Sequence, residues 1–287
     1  MQKSGRFRCW PNKEACRDTD GHGTQVAYLL LRLAPHIHLR IAKVAKTQLL
    51  DDADIEQIAS VSDSFLTAKA YNTNYKQAIR HFSSSKPEDR VDIINMSFGF
   101  PRYEARLQPI LKAIRAAREN NVLFFAAAGN DGGNQGIFWP AKLHEEGDVI
   151  CINSSDSDGN ASNFNPTTGS NNRICTLGEA LPSCELNDRK EIVYRSGTSF
   201  ATPIAVATAA IVLGLADAVS SEDAPPDFDW LRERLRTKAG MEKILCTMCV
   251  LADQKRRMGY SYITPWFFLN VEKQSRMHVL ANELRSM

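Results

Sequence analysis

The chain has 287 residues, 43% of them hydrophobic, and a formal net charge of +2 from 35 basic and 33 acidic side chains. That length holds one large domain or a domain with an appendage, and that apolar content supplies an ordinary globular core. The near balance of charge provides no field for nucleic acid or for a membrane surface, so neither is expected as a partner.

Residues 1–17 are polar and unpatterned and read as an irregular segment. Residues 1–10 lack the apolar run of a signal peptide. There are seven cysteines, at 9, 16, 151, 175, 184, 246 and 249. An odd count without an export signal predicts free thiols in a reducing, intracellular and cytoplasmic setting. Secretion would instead allow a Cys9–Cys16 or Cys175–Cys184 bridge. Cys246-Thr247-Met248-Cys249 has redox or metal spacing, but it has no second pair and lies in an apolar helix-like run. It reads as buried structural cysteine.

In Asp20-Gly21-His22-Gly23-Thr24, glycines on both sides leave the imidazole uncovered. Residues 25–33 follow as a helix, with Val26, Leu29, Leu30 and Leu33 at helical spacing. His36 and His38 read as solvated. Residues 40–44 alternate like a strand, and 51–60 and 74–82 read as helices, the second with Tyr75, Ala78, Ile79 and Phe82 on one face. Residues 91–98 form an apolar strand that closes on Ser97-Phe98-Gly99. Residues 102–121 carry Leu107, Ile110, Leu111, Ile114 and Ala117 as one helical stripe. Residues 122–128 are a continuous apolar strand, suited to a parallel sheet buried on both faces, and Gly129-Asn130 comes next. Residues 149–153 are another strand. Strands alternating with helices predict an α/β fold with a parallel sheet, whose ligands bind at the strand C-termini. Ser97 and Asn130 fall at such ends.

Residues 155–172 are loop. Within them, Asp156-Ser157-Asp158-Gly159-Asn160 reads as a turn, because the distal Glu of a calcium loop is missing. Then comes Arg195-Ser196-Gly197-Thr198-Ser199-Phe200-Ala201-Thr202-Pro203, a small-residue turn that enters the uniformly apolar stretch 204–219. Such a helix is buried, and Pro203 suits its start. Residues 201–216 are interrupted by Pro and Thr and are too short to predict a membrane span. Residues 220–229 read as a linker. Residues 230–287 read as a mainly helical extension with an aromatic stretch at 259–269 and a solvated basic run at 255–257, and they offer a candidate face for a protein partner.

The serine turn carries the chemistry. The first turn of a helix presents N–H groups without partners and a positive dipole end. A hydroxyl at Ser199 stands at the mouth of that array, where a nucleophile and its oxyanion belong. His22 is the best candidate to take its proton, and the side-chain amide of Asn130 is suited to be a second oxyanion donor.

His-Gly-Thr, Ala-Ala-Gly-Asn and Gly-Thr-Ser-x-Ala-x-Pro, in that order, resemble the subtilisin-like serine proteases, the subtilases, over residues 18–215. The resemblance implies a three-layer subtilisin-like fold, a mainly parallel central sheet flanked by helices. It implies a serine endopeptidase acting on polypeptides, with Ser199 as nucleophile, His22 as general base and Asn130 in the oxyanion hole; no cofactor is expected, and although some subtilases bind calcium, no metal site is mapped onto these residues. Ser97, Phe98, Gly99, Ala128 and Gly129 are implied to bind substrate, and Phe138-Trp139-Pro140-Ala141 and Asn163-Phe164 look like further family landmarks. The family's triad also holds an Asp at the end of an apolar strand well before the His. Only 21 residues precede His22, and Asp18 and Asp20 lie too close to it in a polar loop. No triad Asp is assigned. The expectation is a peptidase domain at 18–219 that is N-terminally incomplete and lacks the Asp-bearing strand, followed by the extension at 220–287. The alternative is a catalytically impaired interaction domain or a truncated fragment.

Overall fold

A computed structural model describes residues 7–10, 18, 20–44, 74–84, 86, 89–133, 135–167, 173–186, 192–219, 228–251 and 259–287. The helix expected at 51–60, Cys16, the basic run 255–257 and the linker as far as 227 lie outside the described residues. In chain order the elements are β1 (Phe7–Trp10), α1 (His22–Leu33), β2 (Leu39–Ala42), α2 (Asn74–Phe82), β3 (Ile93–Met96), α3 (Gln108–Glu119), β4 (Leu123–Ala127), β5 (Ile150–Ser155) and β6 (Arg173–Leu177). Then come β7 (Leu181–Leu186), β8 (Ile192–Arg195), α4 (Thr198–Asp217), α5 (Phe228–Leu235), α6 (Lys238–Leu251), β9 (Tyr260–Tyr262), α7 (Pro265–Asn270) and α8 (Lys273–Arg285).

The central sheet has the order β3-β4-β5-β6-β9 and is parallel throughout. β4 explains why. Its side chains alternate, so Leu123 and Phe125 enter one core while Phe124 and Ala126 enter the other. All five of its residues are buried, as its unbroken apolar sequence predicts. On the first face lies α4, buried among Phe125, Ile152 and Ile174 and backed by Leu231, Ile244, Leu245 and Leu280 of the C-terminal helices. On the second face lie α2 and α3, which contribute Tyr75, Ile79, Ile110 and Ile114.

Three regions differ from the sequence expectation. Residues 1–17 were expected to be irregular, yet Phe7–Trp10 form β1 and pair in parallel with β2 through the crossover helix α1. A run of four residues is too short to show a period. β7 and β8 form an antiparallel hairpin that was not foreseen. Ile192 and Tyr194 remain exposed there, so no buried face shapes their pattern. In the mainly helical C-terminal region, β9 pairs with β6 and extends the sheet.

Candidate active site

Ser199 stands in the first turn of α4, half-buried, and its neighbours are fixed by a compact network. Pro203 is the fourth residue after Ser199. An α-helical carbonyl accepts from the N–H four residues on, and proline has none. The Ser199 carbonyl is taken up instead by the Ser97 hydroxyl, which donates to it at 2.7 Å. Asn95 Nδ2 donates in turn to Ser97 Oγ at 3.0 Å. The end of β3 is thereby tied to the serine turn.

Thr198 is completely buried and engages Asn130 twice. Its N–H and its Oγ1–H donate to Asn130 Oδ1 at 2.8 and 3.0 Å. The Gly129 N–H donates to Thr198 Oγ1 at 3.2 Å. With the amide oxygen so held, the two protons of Asn130 Nδ2 are left without a partner among the described residues. This nitrogen lies beside Gly197, where an added Cβ would come within 3.3 Å of it. Gly197 is at φ 150°, a conformation that L side chains rarely adopt.

His22 is the first residue of α1, after Gly21 in the left-handed region at φ 86°. The turn is closed by Asp18. One carboxylate oxygen accepts from the N–H groups of Asp20 and Gly21, at 3.1 and 3.0 Å. The other accepts from the N–H and hydroxyl of Thr24, at 2.7 and 2.8 Å. Burial pushes the Asp18 carboxyl up, but these hydrogen bonds, Thr24's foremost, outweigh it and hold it below its ordinary value. Asp18 therefore serves as a cap. The His22 ring packs on Phe200, with centroids 5.3 Å apart. Its pKa lies below the ordinary histidine value, chiefly because of burial. The charges of Asp20 and Asp18 oppose that shift and Arg195 adds to it. Among the described residues, no carboxylate and no hydroxyl is hydrogen-bonded to the ring.

His22, Ser97, Phe98, Gly99, Gly129, Asn130 and Ser199 all line one cleft of about 1630 Å³. Ala128 does not. It is fully buried, its N–H donates to the Ile152 carbonyl at 3.0 Å, and its own carbonyl accepts from Phe138 at 2.9 Å. Phe98 turns toward α2, its ring 4.5 Å from that of Tyr75. Phe138 fits between two strand ends. A Cβ on Gly99 would meet it at 2.8 Å and one on Gly129 at 2.9 Å. The close fit explains both glycines, and Gly129 also has φ 117°. Missed in the sequence were the clamp by Thr198 and the bond between Ser97 and the Ser199 carbonyl. The position of Pro203 was the available signal for that bond.

Elsewhere, the Asp156 carboxylate closes its own turn by accepting from the N–H groups of Asp158 and Asn160 and from Asn160 Nδ2. No group of three or more metal-capable side chains occurs among the described residues. α4 is long and apolar enough to cross a membrane, but most of it is buried in the core. Cys9 is disulfide-bonded, against the expectation of free thiols, since counting cysteines is blind to proximity. Cys151, Cys175 and Cys184 are free thiols. Burial pushes the Cys151 and Cys175 thiols up to about 12.

A family model described as the subtilase family matches residues 2–261. The chain belongs to the subtilase family. These are serine peptidases, and the three-layer fold with its mainly parallel sheet is theirs. The chain is 32% identical over 209 residues to the subtilisin-like protease het-Q2 of Podospora anserina, covering 71% of this chain and 51% of that protein. It is 28% identical over 196 residues to the minor extracellular protease Epr of Bacillus subtilis (strain 168), covering 68% of this chain and 27% of that protein. The chain thus spans about half the length of the first subtilase relative and about a quarter of the second. Among solved structures, the prenylagaramide maturation protease PagA superposes with a TM-score of 0.59 at 20% identity, covering 96% of this chain and 85% of that one. A cold-adapted subtilisin-like serine proteinase gives 0.53 at 18% identity, covering 84% and 72%. At these identities the likeness concerns the fold.

Proposed function

We propose that this subtilase chain is a serine endopeptidase acting on polypeptides. Ser199 Oγ attacks the peptide carbonyl, and His22 accepts the proton and returns it to the leaving amine. The oxyanion is held by Asn130 Nδ2 and by the Ser199 N–H, which has no intrahelical partner. The observation that carries this reading is the double hold of Thr198 on Asn130 Oδ1, which leaves Nδ2, unpartnered among the described residues, beside Gly197 in the serine turn. Such a donor is organised before the charge develops, and that is when it is most effective. The test is labelling with a fluorophosphonate probe. The expected result is labelling that disappears in Ser199→Ala. A folded wild-type chain that is never labelled overturns the reading.

A second reading, a catalytically impaired interaction domain, is favoured by one observation. The His22 ring has no carboxylate bonded to it among the described residues, so nothing there fixes its tautomer or stabilises the imidazolium. Slow labelling that the Asn130→Leu change leaves unaltered would favour it.

A further inference from the structure

Two glycines face each other across the cleft wall next to Ser199, and an aromatic ring fills the space that their missing side chains leave. β3 pairs with β4 in a register that sets Met96 against Ala126. Three residues further on, Gly99 comes to lie opposite Gly129. The strands have ended by then, at Met96 and Ala127, and residues 138–139 enter between the two chains. The Phe138 N–H donates to the Ala128 carbonyl at 2.9 Å, on the β4 side. Trp139 bridges to Phe100 on the β3 side, accepting from its N–H at 2.6 Å and donating to its carbonyl at 2.8 Å. The Phe138 carbonyl accepts from Lys142 at 2.9 Å. The backbone that carries Phe138 is thus fixed on both sides.

Its ring touches both glycines. A Cβ on Gly99 would meet Phe138 Cβ and Cδ2 at 2.8 and 3.2 Å, and one on Gly129 would meet Cδ1 and Cγ at 2.9 and 3.0 Å. Opposite edges of one ring therefore face the two backbones. Phe138 is nevertheless half-buried, and it lines the cleft with Ser97, Gly99, Gly129, Asn130 and Ser199. The part of the ring that is not packed looks out into the cleft that holds the serine.

The chemistry of attack brings a substrate side chain to this place. The scissile carbonyl must present its carbon to Ser199 Oγ and its oxygen to Asn130 Nδ2. Asn130 directly follows Gly129, so the residue that carries this carbonyl lies against the end of β4. Its side chain meets the wall formed by the two glycine backbones. Without Phe138, that wall would open between Gly99 and Gly129. With it, the opening ends on a ring held at packing distance, and inserting a larger group there incurs the cost of overpacking. Two glycine backbones and a phenyl ring also offer a side chain no charge to pair with.

We propose that Phe138 determines specificity by plugging the pocket for the side chain next to the scissile bond, so that the chain acts after small, uncharged residues, glycine, alanine or serine, and rejects aromatic and long ones. The proposal rests on the peptidase reading and names the substrate class of that same site.

The test uses the whole chain and two acetylated tripeptide diphenyl phosphonates, Ala-Ala-Ala and Ala-Ala-Phe, with phosphorus in place of the last carbonyl carbon. Ser199 Oγ bonds to phosphorus and phenol leaves with the serine proton. The wild type should label with the Ala probe at least about a hundredfold faster than with the Phe probe. Phe138→Ala should bring this ratio below about tenfold or reverse it, and Phe138→Val should fall between. The ratio is taken within each protein, so a general change in reactivity cancels. A wild type that labels equally with both probes overturns the proposal. So does an unchanged ratio in a folded variant that a simple fluorophosphonate still labels. If neither variant folds, the wild-type ratio decides, and a preference under tenfold overturns the proposal.

A binding measurement separates this claim from the peptidase reading. N-acetyl-phenylalanine amide, at about ten times its dissociation constant, should raise the Tm of Phe138→Ala by about 3–5 °C. At the same concentration it should leave the wild type unmoved. No labelling by any probe, together with this shift, supports the plug and counts against the peptidase reading. A shift in the wild type, or none in the folded variant, overturns the plug whatever the labelling shows.

Discussion

The two halves of the site are built to different standards. On the serine side, Ser199 is held through its own carbonyl by Ser97, and Asn130 is held through its amide oxygen by the buried Thr198. On the histidine side, the hydrogen bonds stop at the turn before the ring. Asp18 secures the turn and the start of α1, but among the described residues the imidazole has the flank of Phe200 and no hydrogen-bond partner. Rigid donors for an oxyanion need no partner to be useful, whereas a general base is effective only when its tautomer and orientation are set. The difference locates what is needed for turnover on the histidine side.

The largest expected effect removes the nucleophile. Ser199→Ala should abolish fluorophosphonate labelling and peptide hydrolysis while leaving Tm within about 1–2 °C, since a half-buried hydroxyl with no hydrogen bond among the described residues contributes little to stability. Next comes the pre-organised donor. Asn130→Leu should slow labelling by about 10²–10³, the cost of one oxyanion donor. Because Leu also leaves the N–H of the buried Thr198 without its acceptor, stability should fall by about 1–3 kcal/mol. If the slowing is under tenfold, the serine side is not the organised half.

Much of this was legible beforehand, and the reasons are local. His22, Asn130 and Ser199 sit in motifs whose glycines and small residues have few other uses, and β4 announces itself because burial on both faces demands an unbroken apolar run. β8 and β1 were hidden for the opposite reason. Their burial is slight or their length is four residues, so hydrophobic periodicity has nothing to act on. Thr198 stands at the start of α4, where its residue type suits a helix cap. Its engagement of Asn130 crosses 68 positions, and no local pattern reports such a contact.

The packing beneath the serine side gives a middle-sized effect. Gly129→Ala places a Cβ 2.9 Å from Phe138 at a φ of 117°, so both sterics and backbone oppose it. A loss of about 1–3 kcal/mol is expected in denaturant unfolding. Because Gly129 also donates to Thr198 Oγ1, labelling should slow as well. A mutant that loses stability but labels at the wild-type rate would separate the packing of Phe138 from the aim of Asn130.

The pH dependence probes the histidine side. Burial lowers the His22 pKa, so the neutral, basic form persists below the ordinary value of about 6.5. The acid limb of kcat/KM should therefore lie below pH 6.5. In stability the sign is the same. His22 is neutral in both states above that pH and contributes no dependence there. As pH falls through the unfolded value toward the folded one, the unfolded chain binds the proton first and the fold is penalised. Arg195→Gln, which removes an opposing charge, should move the limb upward.

The smallest effect belongs to the part of the histidine side that is already organised. Asp18→Ala removes four hydrogen bonds at the start of α1. Helix capping groups contribute about 0.5–2 kcal/mol, and the exposure of Asp18 places it near the lower end. Because its pKa is depressed in the fold, this contribution is present above the unfolded carboxyl range and fades as pH falls through the folded value. The wild-type and mutant unfolding curves should therefore converge in acid. Combining Asp18→Ala with Thr198→Val then tests the independence of the two halves. If they are separately built, the two stability losses add within about 0.5 kcal/mol. A larger coupling would mean that the turn before His22 and the clamp on Asn130 support one another through the cleft, and the contrast between them would have to be abandoned.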